Sequence, residues 1–127
     1  MRLILTFMSL LLMTIVYGQS TSDPAVRIEE NPQNQSVDVY FDGTLFTSYI
    51  YPDNIMKPVL WPLVSSKGHV VTRSYPREKV AGERTDHPHH IGLWFNYGDV
   101  NGIDYWNNSE AISQDKKSQY GRINHQK

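Results

Sequence analysis

The chain has 127 residues, 39% of them hydrophobic, with 12 Lys+Arg against 13 Asp+Glu, 5 His and no Cys. That length suits one domain, and a formal charge of -1 argues against a dedicated nucleic-acid binder. Without Cys there is no disulfide, thiolate nucleophile, Fe–S cluster or zinc ribbon, so side-chain chemistry falls to histidines and carboxylates.

Met1-Arg2 is followed by an apolar run from Leu3 to Val16, interrupted only by Thr and Ser. A bilayer span needs about 20 apolar residues, so this run is short for one. A positive charge, a short apolar stretch and a small residue at Gly18 read as an export signal cleaved after Gly18. Gln19 in place of Cys excludes lipoprotein attachment. The mature protein is therefore expected to be periplasmic or secreted, with no stable membrane span after cleavage. Residues 19–35 read as a flexible N-terminal segment in which Ala25 to Glu30 can form a short strand, and residues 36–127 as the domain.

Ser36 to Tyr51 carries the clearest local signal. Val37, Val39 and Phe41 alternate with Asp38 and Tyr40, and Asp42-Gly43 then separates two β-rich runs. Asp-Gly suits a type I′ turn, so this is a predicted hairpin. Pro52 to Pro58 is a loop. Val59 to Val64 is an edge or bulged strand, because Pro62 cannot donate to a ladder. His69 to Arg73 returns after the Ser65–Gly68 turn. Ser74 to Asp86 is a long polar loop, and loops of that length in compact domains are often functional. His89 to Tyr97, Ile103 to Trp106 and Tyr120 to His125 read as further strands. No helical period follows the apolar leader. The expected fold class is all-β, an antiparallel β-sandwich. The last strand begins where the chain ends, so the domain is expected to be incomplete at its C-terminus, a truncated half of a larger sandwich.

The stretch Glu83-Arg84-Thr85-Asp86-His87-Pro88-His89-His90 concentrates the polar chemistry where the long loop meets a strand. In a strand, His87 and His89 would share a face and His90 would turn away. Three readings follow. His87 and His89 have the spacing of a metal-ligand pair, which makes a divalent metal the candidate cofactor. Alternatively the histidines act as acid–base or hydroxyl-binding groups, with Asp86 or Glu83 orienting an imidazole. Trp94 and Trp106 would then stack on sugar faces, and Arg84, Asn101 and Asp104 would bond hydroxyls. In the third reading these residues only satisfy backbone groups and fill the core. His69 is expected to face solvent.

Lys57 to Leu63, Gly68 to Arg73, Asp86 to Phe95 and Val100 to Trp106 occur in this order. Together they resemble a bacterial family of exported proteins labelled methane oxygenase PmoA, of uncharacterised activity. The resemblance covers Val37 to His125, and Asp-His-Pro-His-His followed by Gly-Leu-Trp is its specific part. It implies a β-sandwich of mutarotase-like type and a small-molecule or glycan ligand. It also implies that the chain is the N-terminal portion of a longer protein. Two further functions stay open: a His-ligated oxygenase-like or hydrolytic enzyme, and an inactive structural fragment. Where the family has Arg after its His pair, this chain has Ile91. The membrane monooxygenase subunit that the label evokes is built of transmembrane helices, and nothing after Gly18 is apolar for long enough to form one.

Overall fold

A computed structural model describes residues 25–126. The export signal read over residues 1–18 and its cleavage point lie outside them. Four strands make one antiparallel sheet in the order β1-β2-β3-β4: β1 Val26–Asn31, β2 Ser36–Phe41, β3 Thr44–Ile50 and β4 Val59–Leu63. The all-β reading holds. β1 falls inside the stretch read as a flexible lead-in, so the sheet begins ahead of the boundary expected at residue 36.

The hairpin forms as predicted. Asp42 and Gly43 both take positive φ, 47° and 76°, as a type I′ turn requires. A register shift lies between Val39 and Tyr40, and a second interrupts the β3–β4 pairing beside Pro62. β4 is thus both an outer and a bulged strand, as its proline dictates.

Register sorts the two faces, because residues directly opposite in an antiparallel pair share a side. Val26 pairs with Phe41, and Ile28 with Val39, giving one apolar face that is largely open; Ile28 is 66% exposed. On the other face Ser36, Ile50 and Val59 line up across β2, β3 and β4. Ile91 closes onto that row, and Ile50, Val59 and Ile91 form the buried apolar core.

Beyond β4 the expected strands shrink to single bridges: Val64 with Val70, Leu60 with Leu93, Val100 with Ile103, and Asp104 with Tyr120. Only four strands form, all in one sheet, so no second sheet of a sandwich is present among the described residues. The causes are local. Gly92 adopts φ +58°, which breaks an extended run immediately after Ile91. Asn101 and Gly102 do the same between Val100 and Ile103. At Leu63 the backbone N–H is taken by Thr72 Oγ1 at 3.1 Å, a side chain standing where a ladder carbonyl would be.

Asn108 fastens the C-terminal stretch to the β3–β4 loop. It is 1% exposed, and its Nδ2 donates to the Gly121 carbonyl at 2.7 Å and to the Met56 carbonyl at 3.4 Å. Asn108→Ala is expected to cost about 1–3 kcal/mol, because it strands buried acceptors. Urea denaturation measures this, and a loss under about 0.5 kcal/mol would show that water replaces the amide.

Candidate functional site

The histidine segment is a turn, which corrects the strand expected from His89 to Tyr97. His87 takes φ +50°, Pro88 follows, and the His90 N–H donates to the His87 carbonyl at 2.9 Å. A non-glycine residue in this region is uncommon, and such outliers gather at functional sites. The turn also corrects the expected splaying of His90. All three rings meet, with centroids 5.7 Å apart for His87 and His89, 5.1 Å for His87 and His90, and 4.3 Å for His89 and His90. His90 then reaches Trp94 at 5.6 Å, and Trp94 reaches Trp106 at 5.8 Å with the indoles tilted by 58°. Five aromatic rings therefore form one continuous platform.

Asp86 lies against the His87 imidazole. Its Oδ2 lies 3.0 Å from His87 Nδ1, and its Oδ1 accepts from Arg73 Nη2 at 3.2 Å. The same guanidinium donates to the Arg84 carbonyl at 2.7 Å and to the Asp86 carbonyl. Arg73 thereby ties together the two ends of the long polar loop. Burial works to raise the Asp86 pKa, but the His87 hydrogen bond and the charges of His87, Arg84 and Arg73 hold it below the usual carboxylate range. Arg84 points outward, with its Nε 3.9 Å from Asp86 Oδ2. Glu83 does not reach the histidines. Its two oxygens accept from the backbone N–H groups of Ser74 and Tyr75 at 2.7 and 2.9 Å.

One residue of the site was not a sequence candidate. Lys57 is 2% exposed, its Nζ lies 4.8 Å from the Trp94 ring centre, and it donates to the Trp106 carbonyl at 2.8 Å. Burial lowers its pKa to about 8, against a smaller opposing effect of Asp104. No carboxylate forms an ion pair with it among the described residues. A lone Lys opening the apolar run Pro58-Val59-Leu60-Trp61 was the signal that could have found it.

Burial, together with the charges of His90, Lys57 and His87, holds His89 below the ordinary imidazole range despite Asp104. Burial with His87, Arg73 and Lys57 does the same to His90 against Asp86. A neutral imidazole offers one donor and one acceptor, which is the pattern that hydroxyl groups match.

The metal reading of His87 and His89 gains no further ligand. Among the described residues no three His, Asp or Glu side chains converge on a metal position. Asp86 is engaged by Arg73 and His87. Asp104 is engaged by the Trp106 and Asn107 N–H groups and by the Asn107 side chain. His125 stacks on Tyr51 at 4.1 Å. Asn101 sits in the turn between Val100 and Ile103, and no contact joins it to the histidines. His69 is exposed, as expected. Two cavities include Lys57, of about 250 and 150 Å³, and none of the three histidines lines either. His87 is exposed, and His89 and His90 are half-buried.

Residues 36–127 match the model of a family described as a family of unknown function, DUF6807. The chain belongs to this family. The match starts at the first residue of β2 and takes in the whole aromatic platform, so the platform is a feature of the DUF6807 region of the chain. No curated protein and no solved structure matches the chain. Among the described residues no helix is long and apolar enough to cross a membrane.

Proposed function

We propose that this DUF6807 protein is an exported, PmoA-like protein that binds a carbohydrate-type ligand on the platform of His87, His89, His90, Trp94 and Trp106. The observation that carries the reading is the junction of two indoles with a cluster of imidazoles, of which His87 is exposed and His89 and His90 are half-buried. Indole faces suit the C–H faces of sugar rings, and neutral imidazoles suit hydroxyls. Trp106 is 43% exposed, so its ring is available to stack, whereas Trp94 packs partly against the core and steadies the pair. Export rests on the Arg2 to Gly18 leader, and N-terminal sequencing of the secreted protein should begin at Gln19.

A panel of mono- and oligosaccharides, read by tryptophan fluorescence and calorimetry, tests the site. Trp106→Ala is expected to weaken binding about tenfold or more. The substitution removes the indole and leaves the carbonyl that holds Lys57, so the lost affinity reports stacking. If no sugar on the panel binds the unmodified protein, the reading fails.

A further inference from the structure

We infer that two copies of this chain associate through β1, their outer edges pairing antiparallel about a two-fold axis at Ile28. The inference goes beyond the sugar reading and does not depend on it.

The two edges of the sheet differ. At β4, Pro62 withdraws a donor, a register shift interrupts the pairing, and Leu93 bridges to Leu60. β1 has no such guard. It is six residues long without a proline, and its register against β2 runs unbroken from Val26 to Asn31. Among the described residues nothing pairs with its outer side.

The free hydrogen-bonding groups of that side can be assigned. The Asp42 N–H donates to the Ala25 carbonyl at 2.9 Å, one position beyond the Val26–Phe41 pair. Bonded and non-bonded pairs alternate along an antiparallel ladder. Arg27, Glu29 and Asn31 therefore bond inward to β2, and Val26, Ile28 and Glu30 turn their N–H and C=O groups outward. Those are the groups a further strand takes up.

The side chains select a second copy, in one register. A two-fold axis normal to the sheet keeps each face, so only residues on the same face of β1 meet across it. Centring on Arg27 or on Glu29 sets like charges directly opposite, which destabilises a pair. Centring on Ile28 sets Ile28 against its copy and Arg27 against Glu29 on both sides of the axis. Arg27 and Glu29 already share a face, since they form an ion pair within β1, and the Tyr40 ring supports the guanidinium at 4.2 Å. On the opposite face, Val26 and Ile28 are 52% and 66% exposed beside Phe41 at 55%, and the pairing joins two such open apolar faces. Ile28 then exchanges N–H···O bonds with its copy, and Val26 does so with Glu30. A strand pair this short is a small interface, so the expected dissociation constant is about 10 μM. The platform, bridged to β4 through Leu60 and Leu93, stays at the far edge of each copy.

Sedimentation velocity of the mature protein from about 1 to 500 μM should show a monomer passing to a dimer. Arg27→Glu and Glu29→Arg should each weaken the dimer about tenfold or more, and the two together should restore it. Ile28→Pro should abolish it while leaving the β1–β2 ladder intact, because the lost N–H faces outward. The chain has no Cys, so single cysteines report the register cleanly. Ile28→Cys should give a disulfide-linked dimer with diamide. Glu30→Cys should not, because its copies would lie about 14 Å apart along the strands, beyond disulfide reach. A monomer at every concentration overturns the inference, and slow amide exchange at Ile28 in that monomer would give the edge to another segment of the same chain. A dimer that persists in both Ile28→Pro and Arg27→Glu overturns it as well, as does Glu30→Cys linking as readily as Ile28→Cys.

Discussion

Gly92→Ala is expected to destabilise the fold by about 2–4 kcal/mol and to dismantle the aromatic platform. Gly92 has φ +58°, where an L side chain is strained. An added Cβ would also lie 2.5 Å from the Leu60 carbonyl oxygen and 3.0 Å from Trp61 Cβ. The first of these is backbone of β4, so no side-chain rotation relieves it. Leu60 and Leu93 exchange N–H···O bonds at 2.8 and 3.0 Å beside that contact. Pushing them apart releases Trp94 two residues on, and with it the contact to His90. Gly43→Ala is the control. It has φ +76° and nothing within 4 Å of the added Cβ, so only the conformational cost of about 1–2 kcal/mol applies. Urea denaturation of both variants decides the matter, and equal losses would show that the close approach to Leu60 is of no consequence.

Lys57→Met is expected to stabilise the protein at neutral pH by about 1–3 kcal/mol while impairing the platform. The folded protein holds the Lys57 proton less tightly than the unfolded chain, with a pKa of about 8 against an ordinary 10.5. Below pH 8 both states are charged, and the folded state bears the whole desolvation cost. Between about pH 8 and 10.5 the folded state has shed a proton that the unfolded chain keeps, so stability rises with pH across that window. An apolar isostere removes the cost at every pH, which is the usual outcome when a buried charge gives way to a well-packed hydrophobe. The Trp106 carbonyl that it leaves belongs to a residue open to water. Tyr49 works in the opposite sense above pH 10, since burial and Tyr51 push its phenol up. The comparison of parent and variant is therefore cleanest from pH 8 to 10. A parent protein whose stability is flat across that range would show that Lys57 is not desolvated.

If both results hold, the platform is a site bought with stability. Gly92 and His87 take backbone conformations that strands avoid, and Lys57 keeps a charge where a hydrophobe would serve the fold better. A ligand is the natural beneficiary of such an arrangement, because the same charge and the same turn concentrate donors and rings at one place.

Much of the sheet was legible along the chain. Alternation over Val37, Val39 and Phe41 and the Asp42-Gly43 pair set the hairpin, and Pro62 marked β4 as irregular. These signals act over a few residues, so neighbours suffice to read them. The later strands were over-read for the same reason. His69 to Arg73 and His89 to Tyr97 have strand composition, but Thr72 competes for a ladder N–H and Gly92 breaks the extended run.

The absence of Cys and the run from Asp86 to His90 were enough to place the candidate chemistry on imidazoles and carboxylates. Local sequence also placed Asp86 beside His87, since adjacent residues need no fold to meet. What tertiary structure alone decided was how the rest converge. A turn, not a strand, gathered His90 with His87 and His89. Trp94 met Trp106 because the loops that carry them pack together. Lys57 came against both, over the Trp94 ring and through a hydrogen bond to the Trp106 carbonyl that spans 49 positions of the chain. Pattern and propensity report which conformation a segment prefers. Which distant segments share a face depends on burial of Ile50, Val59 and Ile91 against one another, and that is a property of the packed chain.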